Sequence, residues 1–163
     1  MNIEIKKNLL SYKSYKLKCS IGKSGITSIK KEGDLSTPKG IFRFGNLYYR
    51  KDRIKILKCK IKKKIIKKNM GWCNDSRSKK YNKEINFPFK YQAEKLYRKD
   101  NIYDLFIHIK YNSKPIVKKK GSAIFFHLTN AMYKPTKGCV AIEKKNFLKI
   151  LPFINKKTKI SIN

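Results

Sequence analysis

Acidic residues are scarce in this chain: 10 Asp and Glu stand against 42 Lys and Arg in 163 residues, a formal net charge of +32. A field of that strength attracts polyanions such as nucleic acid, anionic lipid or wall polymer. Arginine is scarce as well, confined to Arg43, Arg50, Arg53, Arg77 and Arg98, while lysines run beside Ile and Asn throughout. Compositional drift gives that same pattern, and lysines on solvated faces then confer solubility without specifying a partner. No RNP aromatic pair or helix-turn-helix accompanies the charge, so nucleic-acid binding has no motif behind it. The four cysteines, Cys19, Cys59, Cys73 and Cys139, have no paired CxxC spacing and no Cys/His array, which argues against a metal site. In an oxidising compartment Cys19 and Cys59 have the option of pairing, but spacing alone gives no connectivity. Long apolar runs are missing too. Met1 to Leu10 lacks the stretch of a signal peptide, and no later segment reaches the ~20 apolar residues that span a bilayer.

Apolar mass for a core is nevertheless present: 40% of residues are hydrophobic, with ten Tyr and nine Phe. A chain of this length is expected to form one domain over residues 1–163, burying roughly two-thirds of the surface exposed when unfolded. Most of the periodicity is period two. Tyr15 to Ile21 alternates as a half-buried strand requires, and Ile54-Lys55-Ile56 with Cys59 and Ile61 predicts a lysine-edged strand. Ile102 to Ile109 predicts a more buried strand, and Thr158 to Ile162 one that closes a sheet. Turn-rich stretches at 33–40, 74–78 and 112–115 separate them. Helical spacing covers Lys144 to Leu151, with Pro152 as its stop, and a second short helix is expected around Gln92 to Tyr97. Many short strands between Gly/Pro/Asn turns predict a mainly β sandwich or partly closed barrel with one or two short helices.

One constellation carries chemistry. Gly121 to His127 reads as an apolar strand ending in histidine, and after a loop Thr136-Lys137-Gly138-Cys139 leads into Val140-Ala141-Ile142. A glycine before a cysteine leaves backbone N–H groups open to a developing oxyanion. A free thiol is mostly protonated at neutral pH, so a nucleophilic Cys139 needs His127, helped by Lys137, to hold it as thiolate. His108 lies inside a strand with no Gly-Cys partner and is read as structural. Cys73 is a competing thiol, in a turn with no histidine close in sequence.

Three segments in this order resemble the YkuD-type L,D-transpeptidases: Thr37-Pro38-Lys39-Gly40-Ile41-Phe42 after Ile21-Gly22, then Met70 to Asp75 with Tyr81-Asn82, then His127 with Thr136-x-Gly138-Cys139. The middle segment is similar to a short bacterial branch, and the resemblance covers about residues 15–152. Lys137 stands where most of the family has histidine, the gap from His127 to Thr136 is short, and Ala141 replaces the usual Arg or Asn. The resemblance implies Cys139 as nucleophile, His127 as base and the N–H groups of Gly138 and Cys139 as oxyanion donors, with a carbonyl near Leu128 orienting the ring. No cofactor and no metal are expected. The thiolate would attack the carbonyl joining the third residue of a peptidoglycan stem to its terminal D-alanine, leaving a thioester that a neighbouring amine resolves.

Trp72, Asn74, Asp75, Tyr133 and Lys137 are the expected groove residues, Asp75 as a carboxylate for the acceptor's ammonium. Trp72 as core and Asn74-Asp75 as a plain turn are the competing readings. Water as acceptor would make the same site an L,D-carboxypeptidase, and a non-enzymatic polyanion-binding domain is the remaining alternative. A peptidoglycan substrate implies the periplasm or cell envelope, although no export signal is visible and the cytoplasm stays open. A monomer is the expected state.

Overall fold

The computed structural model describes residues 1–55 and 57–163. It opens on a meander of β1 (Ile3–Lys6), β2 (Leu9–Tyr12) and β3 (Tyr15–Lys18), with Lys7 and Lys13 at positive φ in its two tight turns. In β1 the apolar Ile3 and Ile5 are buried while Glu4 and Lys6 face solvent, the alternation of a sheet with one wet face. A small parallel pair, β4 (Ile26–Thr27) and β5 (Thr37–Pro38), brackets the next loop and leads into β6 (Gly40–Tyr49), the longest strand. After β7 (Lys63–Ile65) come β8 (Met70–Cys73), β9 (Glu84–Asn86) and β10 (Ala93–Lys95), a separate sheet ordered β10-β8-β9. The chain finishes with β11 (Leu105–Ile109), β12 (Phe125–Thr129), β13 (Val140–Glu143), helix α1 (Lys144–Ile150), a 3-10 turn at Leu151–Phe153 and β14 (Lys159–Ile162).

The large sheet runs β13-β12-β11-β6-β14-β1-β2-β3, with β7 also on β6. Its two ends meet: beyond β3, Ser20 bridges Ala141 of β13 through N–H···O bonds of 2.8 and 2.9 Å, and Gly22 bridges Thr136. The fold is therefore a mainly β, nearly closed barrel. Strand β6 makes the curl possible by pairing β14 through Gly40–Arg43 and β11 through Phe44–Tyr49, with a bulge opposite His108. Inside lies one cluster built on Ile3, Ile5, Leu10, Leu47, Ile107, Phe126, Val140 and Phe147, the last stacked on Phe126 at 4.7 Å. A second cluster, with Tyr48, Trp72, Tyr103, Phe106 and Phe125, packs between the barrel and the three-stranded sheet.

Several expectations hold with shifted ends, among them β3, β11, β13, β14 and α1. Two are corrected. Gln92 to Tyr97 is not helical but supplies β10, because residues 93–95 pair with Gly71–Cys73 and tertiary pairing overrides a weak local preference. The strand expected over 54–61 is not formed by Ile54, Lys55 or Leu57 to Ile61, and Ile56 lies outside the described residues. The strand that pairs there is instead β7, whose Lys63–Ile65 run beside Leu47–Tyr49.

Candidate active site

Strands β12 and β13 are parallel neighbours, with His127 opposite Ala141 and Phe126 opposite Val140. Side chains alternate along both. Phe126, Leu128, Val140 and Ile142 point into the barrel cluster, so Phe125, His127 and Cys139 share the other face. One strand spacing across and two residues along put the His127 and Cys139 backbones about 8 Å apart. Both line a cleft of about 1320 Å³ between the barrel, the loop around Lys30–Leu35 and the β10 side of the small sheet. Each is nearly covered, with 6% of His127 and 8% of Cys139 exposed.

The imidazole is held from one side. His127 Nδ1 lies 2.8 Å from the Leu128 carbonyl oxygen, which only accepts, so Nδ1 carries the proton and Nε2 keeps the basic lone pair. Tyr103 packs its ring edge-on to the imidazole at 5.4 Å. The Cys139 thiol donates to the Ala123 carbonyl and accepts the Phe125 N–H, both at 3.3 Å. Burial pushes His127 down to about 4 and, with the Glu94 carboxylate adding to it, pushes Cys139 up to about 12. Burial thus favours the uncharged form of each group, thiol and neutral imidazole, and works against the thiolate expected of a Cys/His pair. The cation that does favour the thiolate is the buried Lys30, while Lys137 is exposed.

The turn before the cysteine is tightly specified. Thr136 Oγ1 donates to the Cys139 carbonyl at 2.6 Å and accepts the Gly138 N–H at 3.1 Å. Gly138 sits at φ +133°, and a Cβ there would stand 2.7 Å from the Ser36 carbonyl oxygen, so glycine is required twice over. Of the two oxyanion donors expected, Gly138 is already engaged by Thr136, which leaves the Cys139 N–H.

A family model for the YkuD L,D-transpeptidase catalytic domain matches residues 3–162. The chain belongs to the YkuD family. Among curated proteins no sequence matches it significantly. Membership makes the chain an L,D-transpeptidase-type, peptidoglycan-directed domain, and no helix among its described residues is long and apolar enough to cross a membrane.

Within this YkuD domain, Asn74 and Lys137 line the cleft with Cys139 and His127, whereas Trp72, Asp75 and Tyr133 do not. Trp72 is a core residue, 4% exposed, its Nε1–H donated to Asn82 at 3.0 Å and its ring 4.6 Å from His108. Asp75 is held by its own turn: Arg77 Nη2 lies 2.6 Å from Oδ2, and the Arg77 N–H 3.0 Å from Oδ1. Tyr133 has Lys18 over its ring at 4.9 Å. Cys73 is fully buried outside the cleft, and all four cysteines are free thiols. His108 is half-buried and packed on Trp72 and Phe125. Sequence reasoning missed Tyr103, Glu94 and Lys30, which reach the site from strands and loops far from the Gly-Cys motif and carry no local signature.

Proposed function

We propose that this domain is an L,D-transpeptidase in which Cys139 attacks a peptidoglycan stem through a thioester, with His127 as the proton acceptor. The observation that carries the reading is the shared cleft. Cys139 and His127 stand on the same face of adjacent parallel strands, and the Leu128 carbonyl fixes the tautomer whose Nε2 can take a proton. No acidic third member is needed, since a carbonyl does the orienting.

Starting from a neutral pair, attack and deprotonation are coupled. His127 Nε2 takes the thiol proton as Sγ bonds to the carbonyl joining the stem's third residue to its terminal D-alanine, and the Cys139 N–H receives the oxyanion. Collapse breaks the C–N bond, and His127 returns the proton to the departing D-alanine amine. An amine of a second stem then displaces Cys139, with His127 moving the proton from nitrogen to sulfur. That substrate places the enzyme in the cell envelope.

Intact mass after incubation with a carbapenem, a class of drug that acylates the family's cysteine, tests the assignment. One adduct is expected, mapped to Cys139, absent in Cys139→Ala and lost in a folded His127→Ala. An adduct on Cys73, or none on the wild type, refutes it. Muropeptide products decide the acceptor: a new dimer means transfer, and loss of D-alanine alone means carboxypeptidase activity.

A further inference from the structure

With Asp75 held by Arg77, the acceptor's cationic amine needs another carboxylate, and four line the cleft among the described residues: Glu32, Glu94, Asp100 and Asp104. Two are neutralised at close range. Asp100 Oδ2 lies 2.6 Å from Arg98 Nη2, and Asp104 Oδ1 lies 2.8 Å from Arg53 Nη1. Glu32 stands on the exposed rim, where its Oε2 takes the hydroxyls of Tyr81 at 2.5 Å and Ser122 at 2.7 Å.

Glu94 differs from Asp100 and Asp104 in having no cation at hydrogen-bond distance, and from Glu32 in being held by the phenol that packs on His127. Its side chain is 28% exposed, and Oε1 accepts the Tyr103 hydroxyl at 2.7 Å. The nearby Arg98 stays 4.0 Å away and already gives Nε and Nη2 to Asp100. A carboxylate in a partly dry wall is thus hydrogen-bonded by a neutral phenol, with Arg98 and Lys137 acting on its charge only from further off. Tyr103 also touches the His127 ring, so carboxylate, phenol and imidazole form one wall beside the sulfur. Lys95, Lys99, Lys134 and Lys137 also line the cleft, so a cationic acceptor needs a carboxylate to enter it.

We infer that Glu94, held by Tyr103 beside Cys139, captures the acyl acceptor as a primary ammonium ion and so favours transfer to amines over hydrolysis. The inference rests on the thioester reading above. The captured ammonium gives one proton to Glu94, whose burial raises its proton affinity. The freed amine attacks the thioester carbon. A C–N bond forms, the C–S bond breaks with its pair going to sulfur, and His127 moves the second proton from nitrogen to the thiolate. Glu94 then releases its proton to water.

The test measures, for the Cys139 acyl-enzyme formed from a stem tetrapeptide, the ratio of transfer to a primary-amine acceptor over hydrolysis, in wild type and Glu94→Gln. The ratio is expected to drop by about tenfold, the scale of truncating one member of a partly buried charge pair. A loss of stability alone would slow both fates together and leave the ratio unmoved. If both proteins acylate and the ratio stays within about twofold, the inference is overturned while the nucleophile assignment stands. If wild type forms no acyl-enzyme on Cys139, the thioester reading fails and takes this one with it. Should Glu94→Gln not fold, Tyr103→Phe decides, since it keeps the ring on His127 and removes the hydroxyl that positions Glu94. A fall in its ratio supports the inference, and an unchanged ratio overturns it.

Discussion

At the scale of single residues, the unusual feature is that nucleophile and base are both neutral at rest. Burial pushes Cys139 up to about 12 and His127 down to about 4, which favours the uncharged form of both across the range between. A thiolate–imidazolium pair would give an alkylation rate that levels off near neutrality. Here the rate of Cys139 modification by iodoacetamide is expected to keep climbing through roughly pH 10, about tenfold per unit, because only the rare thiolate reacts. Acylation by a substrate, in contrast, needs only neutral His127, and its acid limb falls near 4 instead of near the ordinary histidine value. Rates followed by intact mass from acid to alkaline pH check both limbs, and a plateau in alkylation at neutral pH would refute the neutral pair.

At the scale of elements, the site is a parallel strand pair joined by a loop that carries the motif. Thr136 pins that loop from both sides of Gly138, and the bridges from Ser20 and Gly22 clamp it onto the start of the barrel. Gly138→Ala is therefore expected to cost about 1–3 kcal/mol, from positive-φ strain and the approach of Ser36, and to misplace Cys139. Urea unfolding and carbapenem acylation measured side by side check this, with acylation falling further than the stability loss explains. An alanine variant with wild-type stability would show that the turn is not strained. The Gly-Cys pair was legible in the sequence because turn chemistry is local. The β10 strand was not, since three residues pair there only because β8 is adjacent, and residues 92–97 hold no period long enough to announce it.

At the scale of the whole molecule, two histidines, His127 buried and His108 half-buried, make the fold acid-sensitive. His108 is pushed down to about 4 by burial, with Lys110 adding to it, and its Nε2 is buried without a partner. Both imidazoles bind protons less readily folded than unfolded, so the unfolded state gains protons first as pH falls. Stability is complete above the ordinary value of 6.5 and is lost as pH falls toward 4, by about 3 kcal/mol for each histidine at the far end. Urea midpoints across this window are expected to fall steeply for wild type. His108→Leu removes the unpartnered nitrogen and should flatten the fall by about half. An unchanged slope would mean that His108 is hydrated in the native state. The net charge of +32 adds self-repulsion at every pH in this range, which is one reason the acid slope should be read at fixed ionic strength.

Period-two alternation was enough to declare a β fold, because it depends on residues within a few positions of one another. The thiol chemistry, in contrast, was proposed only when the Thr-x-Gly-Cys turn and the histidine upstream were read with the family resemblance of three ordered segments. Which side chains surround that thiol was decided only by closure of the barrel. Closure brings β10, the Lys30 loop and Tyr103 to the sulfur from distant parts of the chain, buries Trp72, and leaves Asp75 to Arg77. Burial then sets the protonation of Cys139 and His127. It is a property of the packed surroundings, and no local pattern of residues encodes it.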